Sequence, residues 1–323
     1  MGRPPPATER EREVARSGGG GPTGDVLTSE LSAIHRDHSV LTTADPSRHA
    51  SPRGRRGCLG CAVALVLVAV VLAWPFLEAR RLHVTNPVVH IPGLPPEFAG
   101  LRLAFLADIH RGPFMSERRI VRLVHLTNEQ RPDAILLGGD YVHRDRKYIP
   151  SVWKDLAGLR APLGVYAVLG NHDCWEGAEL SLRAMAHAGV TNLTNRHVRL
   201  QRGGRTLVLA GLDDFWAGQP DLPAALAGVG PDEVVVVICH NPDYVRQAYD
   251  PRAKLWLTGH THGGQVCLPS GRPLVSSSTC GYVSGLATWR GVQIYTTRGV
   301  GTVTPPVRIN CPAELPVIEL QPG

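Results

Sequence analysis

The chain has no strong excess of one charge. Its 34 Lys and Arg against 28 Asp and Glu leave a formal +6 over 323 residues, and the basic residues are scattered. A cationic stripe that could track a nucleic-acid backbone is therefore not indicated, and no nucleic acid is expected as a partner. Cysteine is equally uninformative. Among its seven cysteines, Cys58 and Cys61 belong to an apolar run, which leaves Cys174, Cys239, Cys267, Cys280 and Cys311 as an odd set with no C-x-x-C spacing. Neither a zinc ribbon nor a disulfide framework can be read from them, and they do not settle the compartment.

The first residues, 1 to 52, lack apolar material. Pro4-Pro5-Pro6, alternating Glu and Arg, and Gly18 to Gly21-Pro22 offer almost nothing to bury against the entropy of ordering, so this stretch is expected to be a disordered tail, with at most a short helix over 27–40.

From Gly57 to Leu77 the lack is of charge. At about 1.5 Å of rise per residue, a helix of that length covers roughly the 30 Å of a bilayer's hydrocarbon, so 57–77 is expected to be a single transmembrane helix, with Trp74 and Phe76 as interfacial anchors and Pro75 ending or kinking it. Arg48, Arg53, Arg55 and Arg56 precede the span and only Arg80 and Arg81 follow it closely. That bias favours a cytoplasmic N-terminus and places the rest of the chain on the other side. No small-x-small cleavage site follows the run, and Leu59-Gly60-Cys61 lies at its start, where a lipoprotein box would not.

After the span, short apolar runs alternate with helical patterns. Leu82, Val84 and Val88 are expected to share one face of an edge strand. Strands are expected over 101–107, 134–137 and 164–169, separated by helices over 116–128, 152–159 and 176–187. A meander is expected over 190–193, 198–201 and 206–210, followed by a helix over 222–227, strands at 233–238 and 254–257, and a final sheet from 292–296, 303–308 and 316–320. The fold class is α/β, two packed sheets flanked by helices.

Five of these apolar runs end on a metal-ligand type: Asp108 and His110, Asp140, Asn171 and His172, His240, and finally His260 and His262 in Gly259-His260-Thr261-His262-Gly263-Gly264. Residues two apart on an extended segment share a face, so His260 and His262 can aim together, and open α/β sheets place their sites at the carboxyl ends of strands. A carboxylate can bridge two cations, and Asp140 is the natural bridge: Asp108, His110 and His262 would complete one site, and Asn171, His240 and His260 the other. Mixed imidazole, carboxylate and amide donors suit manganese, iron or zinc better than calcium. Two divalent ions about 3.5 to 4 Å apart can stabilise the attacking and leaving oxygens of a phosphoryl group together. His172, next to Asn171 but outside the ligand set, is the candidate acid for the leaving group. Trp175, Phe215 and Trp216 could line an apolar pocket nearby. His125, His143, His187 and His197 are assigned to ordinary surface or packing positions.

Asp108-Ile109-His110, Gly139-Asp140, Gly170-Asn171-His172-Asp173, His240 and Gly259-His260-Thr261-His262 resemble, in order, the five signature blocks of the calcineurin-like metallophosphoesterases. The match spans roughly residues 85–321. His240-Asn241-Pro242-Asp243, Gly263-Gly264-Gln265 and Arg298-Gly299-Val300-Gly301 are similar to the membrane-tethered bacterial subgroup, which includes phosphodiesterases and UDP-2,3-diacylglucosamine pyrophosphohydrolases of lipid A synthesis. The resemblance implies a four-layer α/β/β/α sandwich, a dinuclear site and hydrolysis of a phosphodiester or pyrophosphate at a bacterial inner membrane, the substrate being a lipid, a nucleotide-linked lipid or another phosphoester. Nucleotide or phosphoprotein hydrolysis, and a metal-binding scaffold without turnover, are its alternatives. One departure stands out. Many phosphatases of this superfamily carry an aspartate three residues after the bridging one to support the catalytic histidine, whereas here that place is His143, followed by Arg144, with Asp173 or Asp145 as substitutes. A lipid A precursor hydrolase should also face the cytoplasm, opposite to the side that the arginine bias assigns.

Overall fold

Runs of four to six leucine and β-branched residues, each bounded by Gly, Pro or Asp, make strands that can be buried on both faces, and such strands favour parallel pairing between helical layers. The computed structural model describes residues 53–323, so the tail and the helix expected over 27–40 lie outside the described residues. β4 (Ala134–Leu137) and β9 (Val235–Ile238) are buried at every position. In the first sheet β3 (Leu101–Leu106), β4, β5 (Val165–Ala167) and β6 (Thr191–Asn192) run parallel. β13 (Ala313–Pro322) lies antiparallel against β3 and is flanked by β1 (Leu82–Thr85) and β2 (Val88–Ile91). In the second sheet β8 (Arg205–Gly211), β9, β10 (Ala253–Thr258) and β12 (Val292–Thr296) are parallel, and β7 (Arg196–Arg202) and β11 (Gly285–Trp289) close the edges antiparallel.

Side-chain alternation sorts the apolar residues into three buried layers. Leu103, Phe105 and Leu136 of the first sheet meet Leu209, Val236 and Leu257 of the second between the sheets. Leu106 and Leu137 on the other face pack against α2 (Glu117–Glu129), α3 (Ile149–Leu156) and α4 (Asn171–His187). Val237 and Trp256 on the outer face of the second sheet are covered by α5 (Leu222–Ala225) and the turn at Val245. The result is the expected α/β/β/α order, with a thin fourth layer. Ahead of it, α1 (Arg53–Glu78) is long and apolar enough to cross a membrane, and none of its Cys61–Glu78 segment is buried against the rest of the chain.

Several expected elements differ. Pro87 divides the first edge segment, so Leu82 and Val84 pack on the helical face while Val88 is exposed. The meander over 190–210 does not exist as one sheet: β6 pairs with β5, and the chain then crosses to the second sheet at β7. Residues 303–308 form a loop instead of a strand, β13 returns to the first sheet, and β11 was not foreseen. The helix expected over 152–159 begins three residues earlier because the turn at Arg146–Tyr148 runs directly into Ile149. The helix expected over 176–187 begins at Asn171, with a break at Gly177, whose φ of 150° no helix shares.

Leu136 is fully buried where the sheets meet. Leu136→Ala should therefore cost about 2–5 kcal/mol, read as a lower urea midpoint at unchanged slope. An unshifted midpoint would contradict the shared inter-sheet core.

Candidate metal centre

Five parallel strands end at one place. Asp108 follows β3, Asp140 follows β4, Asn171 follows β5, His240 follows β9 and His260 follows β10. Strands of both sheets thus deliver polar residues to their common carboxyl edge. The turns there are tight, and Asp108, His110, Asp140, His260 and His262 all adopt left-handed backbone, with φ of 56°, 51°, 58°, 70° and 52°. Such conformations cost on the order of 1–3 kcal/mol each for side-chain-bearing residues and collect at functional sites.

The side chains form two groups that meet at Asp140. In the first, Nε2 of His110 and Nε2 of His262 face each other at 3.0 Å, and Asp108 Oδ1 lies 3.5 Å from His262 Nε2. In the second, Asp140 Oδ2 is 3.2 Å from His240 Nε2, and Asn171 Oδ1 is 3.0 Å from His260 Nδ1. Asp140 Oδ2 is also 3.6 Å from His110 Nε2, so a single carboxylate oxygen is shared. Surrounding groups fix these orientations. Nδ1 of His240 donates to the Gly138 carbonyl at 2.7 Å and turns Nε2 toward the centre, where it has no aligned hydrogen-bond partner. The His260 amide donates to both oxygens of Asp108 at 3.0 and 3.1 Å.

The electrostatics suit cations. Burial lowers His110 and His260 to about 3 each and holds His262 well below the usual imidazole range, so all three are neutral near pH 7 with lone pairs to offer. Burial also acts to lower His240, but the Asp140 carboxylate beside it outweighs that and raises it to about 10. Burial would raise Asp140, yet His240 and His110 hold it below the usual carboxylate range. Burial lifts Asp108 to about 7. Positive charge is thus favoured between Asp140 and His240. The donor set of carboxylates, imidazoles and one carboxamide, gathered around buried nitrogens without partners, fits a pair of divalent cations.

Asp140, Asn171, His172, His260 and His262 open onto a groove of about 570 Å³. Trp175 and Trp216 stand on its wall, and Val266, Leu274, Val303 and Val307 continue it as an apolar surface. Phe215 does not reach it and packs against Tyr244 instead, with ring centroids 5.5 Å apart. His172 lies at the rim, its amide donating to Asp140 Oδ1 at 2.9 Å and its ring 5.2 Å from Trp175. Neither expected substitute supports it. The Asp173 carboxylate accepts from the amides of Asp140, Tyr141 and Gly170 at 2.7, 2.9 and 3.0 Å, while Asp145 caps Lys147. Arg144 is exposed and forms no ion pair among the described residues.

Two residues were missed at the sequence level. His143, assigned to packing, is 4 % exposed, and its ring centroid lies 5.3 Å from those of both His110, edge-on, and His172, tilted. Its position three after Asp140 was the available signal. Arg308 is fully buried and donates to the carbonyls of His262, Cys311, Arg298 and Gly301, which ties the His262 turn to the loop after β12. Nothing in its local sequence marks it.

Fold and site together define a two-sheet phosphoesterase scaffold with its polar residues at a common strand edge. Residues 101–264 match the model of the calcineurin-like phosphoesterase family. Phosphodiesterase YaeI of Escherichia coli (strain K12) is 38% identical over 227 residues, covering 69% of this chain and 83% of that protein. A transmembrane protein with metallophosphoesterase domain from Danio rerio is 29% identical over 274 residues, 80% of this chain and 62% of that one. The uncharacterized metallophosphoesterase YkuE of Bacillus subtilis (strain 168) is 28% identical over 251 residues, 76% of this chain and 88% of that one. The chain belongs to the calcineurin-like phosphoesterase family and is a phosphoester hydrolase.

Gly170 sits where the β5 end presses on Asp140. A Cβ there would lie 2.6 Å from the Asp140 nitrogen and nearer still to its carboxylate. Gly170→Ala should therefore leave a folded protein whose bound divalent metal, measured by inductively coupled plasma mass spectrometry, falls below half of the wild-type content. Wild-type content would show that the Asp140 carboxylate does not depend on this close approach.

Proposed function

We propose that the chain is a membrane-tethered phosphodiesterase or pyrophosphohydrolase acting on a phosphoester that carries an apolar group. The observation that carries this reading is the meeting of the two side-chain groups on Asp140, at the inner end of a groove with aliphatic and indole walls. In this reading Asp108, His110, Asp140 and His262 hold one divalent cation, and Asp140, Asn171, His240 and His260 the other. Manganese, iron or zinc is favoured by the imidazole and carboxamide donors. Two such cations, when bound, supply Lewis-acid charge for the phosphoryl oxygens and for the attacking water.

The chain's own groups then do the rest. Nδ1 of His240 keeps its imidazole in one tautomer through Gly138, and Asp173 holds the Asp140 backbone in its left-handed turn. His172, at the groove rim and outside both groups, gives a proton to the leaving oxygen. Trp216, standing edge-on to the His260 ring at 4.2 Å, shields that side of the site from water and offers a flat apolar face to the substrate. The arrangement accommodates glycolipid pyrophosphates of the UDP-2,3-diacylglucosamine kind as well as simpler lipid phosphodiesters. The apolar helix within 57–77 serves as the tether in this reading, the segment 1–52 as its tail, and 85–321 as the catalytic domain.

With the full chain in detergent, Asp140→Asn should abolish metal uptake and turnover of bis(4-nitrophenyl) phosphate together. His172→Gln should keep its metal while turnover falls by about 10²–10⁴-fold. Full turnover in Asp140→Asn would contradict the bridging role, and unchanged turnover in His172→Gln would remove the proton donor. Glycolipid pyrophosphates should be turned over faster than cyclic nucleotides, and the opposite ranking would overturn the apolar-substrate reading.

A further inference from the structure

The last turn of α1 is fastened to the catalytic domain. The Arg308 amide donates to the Pro75 carbonyl at 3.0 Å, Ala79 is buried, and Arg119 from α2 donates to the Ala79 carbonyl at 3.2 Å. The apolar flank above this junction is uncovered: Leu67, Val71 and Leu72 are 60%, 69% and 67% exposed. Trp74 and Phe76 are exposed at its lower end, where indole and phenyl rings mark a membrane's polar boundary. If α1 spans the bilayer, residues next to Glu78 therefore lie at headgroup depth, and the domain is held in one orientation beneath the membrane surface.

At that depth there is a second cavity, of about 710 Å³, that shares no residue with the catalytic groove. Its walls carry Arg80 and Arg81 from the turn after α1, and Arg119 and Arg122 from α2, with His83 beside them. Its base is apolar, including Leu123, Leu126 and Met115. No carboxylate lines it. Arg81 meets Glu78 at 3.6 Å and lies over the Trp74 ring, and Arg119 is bound to the carbonyls of Phe114 and Ala79. Arg80 and Arg122 are exposed, and their side chains make neither an ion pair nor a hydrogen bond among the described residues. Burial first, and then the charge of Arg80, lowers Arg119, and of the four guanidinium groups only Arg81 has a carboxylate beside it among the described residues. Four cations around an apolar base match an anion that has a hydrocarbon part. Guanidinium groups bind phosphate oxygens through paired donors, and the base can take the first carbons of an acyl chain.

We propose that this cavity is a binding site for the phosphate headgroup of an anionic membrane phospholipid, distinct from the catalytic groove, which seats the domain against the bilayer face. The proposal rests on reading α1 as a membrane span. It also accounts for the composition of α2, whose Arg119 and Arg122 do not line the catalytic groove yet lie at the end of α1 in the folded chain.

The test uses the full chain in detergent, with dioctanoyl phosphatidylglycerol, dioctanoyl phosphatidylcholine and inorganic phosphate as separate probes in native mass spectrometry. Phosphatidylglycerol should be retained saturably, with phosphatidylcholine and inorganic phosphate at least ten-fold weaker. Arg80→Gln combined with Arg122→Gln removes two free side chains without touching a hydrogen bond. It should weaken phosphatidylglycerol retention roughly twenty-five-fold, at about five-fold per arginine, while turnover of bis(4-nitrophenyl) phosphate stays unchanged. Equal retention of the two lipids, or wild-type retention in the double variant, overturns the proposal. Phosphate that competes as strongly as the lipid assigns the cavity to a free anion and overturns it as well. Carbonate extraction of membranes from expressing cells separates the two readings. A chain that resists extraction yet shows no lipid preference refutes the headgroup site alone, whereas a chain released by carbonate refutes the membrane span and the headgroup site with it.

Discussion

One carboxylate oxygen, Asp140 Oδ2, stands within 3.6 Å of His110 and 3.2 Å of His240, residues that come from different sheets. Everything else at the site follows from keeping that oxygen in place. Asp140 has a left-handed backbone, which is unfavourable for a residue with a Cβ, and it is kept there because Asp173 receives its amide and His172 donates an amide to its other oxygen. Glycines on either side make room, since neither Gly139 nor Gly170 could carry a Cβ without meeting its neighbours. The strained turns are individually unfavourable and are held by the buried layers beneath them. Unbroken apolar strands such as β4 and β9 supply that rigidity.

A charge cluster this deep would normally destabilise a core. Here the burial keeps three imidazoles neutral, and the carboxylates are satisfied by amides and by His240. The balance is incomplete: several buried imidazole nitrogens, His260 Nε2 among them, have no hydrogen-bond partner. Such nitrogens are donors of the kind that a divalent metal ion takes, and they lie in the candidate clusters of Asp and His at the strand edge. An apolar wall of Val266, Leu274, Val303 and Val307 continues outward from the same edge.

The relation between α1 and the domain gives the molecule a direction. Arg308 contributes twice, through its backbone to Pro75 and through its buried guanidinium to the turn at His262 and the loop at Gly301. The same residue therefore fixes the helix end and the turn that carries His262. The sequence-level count of flanking arginines saw only Arg80 and Arg81 after the span. Folding adds Arg119 and Arg122 to the same neighbourhood, so the charge next to α1 is a property of the tertiary structure as much as of the chain.

Much of this was legible from the sequence because the ligand types sit at the ends of short apolar runs, and period-two and helical spacing are local properties. The strand ends at Asp108, Asp140, Asn171, His240 and His260, the apolar helix and the α/β class all come from such patterns. The pairing of β6 with β5, the return of β13 to the first sheet and the loop at 303–308 do not, because partner choice depends on segments far apart in the chain. The same limit hid His143 and Arg308, whose neighbours are contributed by distant loops, and it misplaced Phe215. By itself, the sequence determined which residues could ligate and which segments would be buried, since these depend on side-chain chemistry and local period. Only the tertiary structure decided that the two sheets share one edge, that Asp173 serves the backbone and not His172, and that four arginines meet at the foot of α1, because each is a long-range contact fixed by packing.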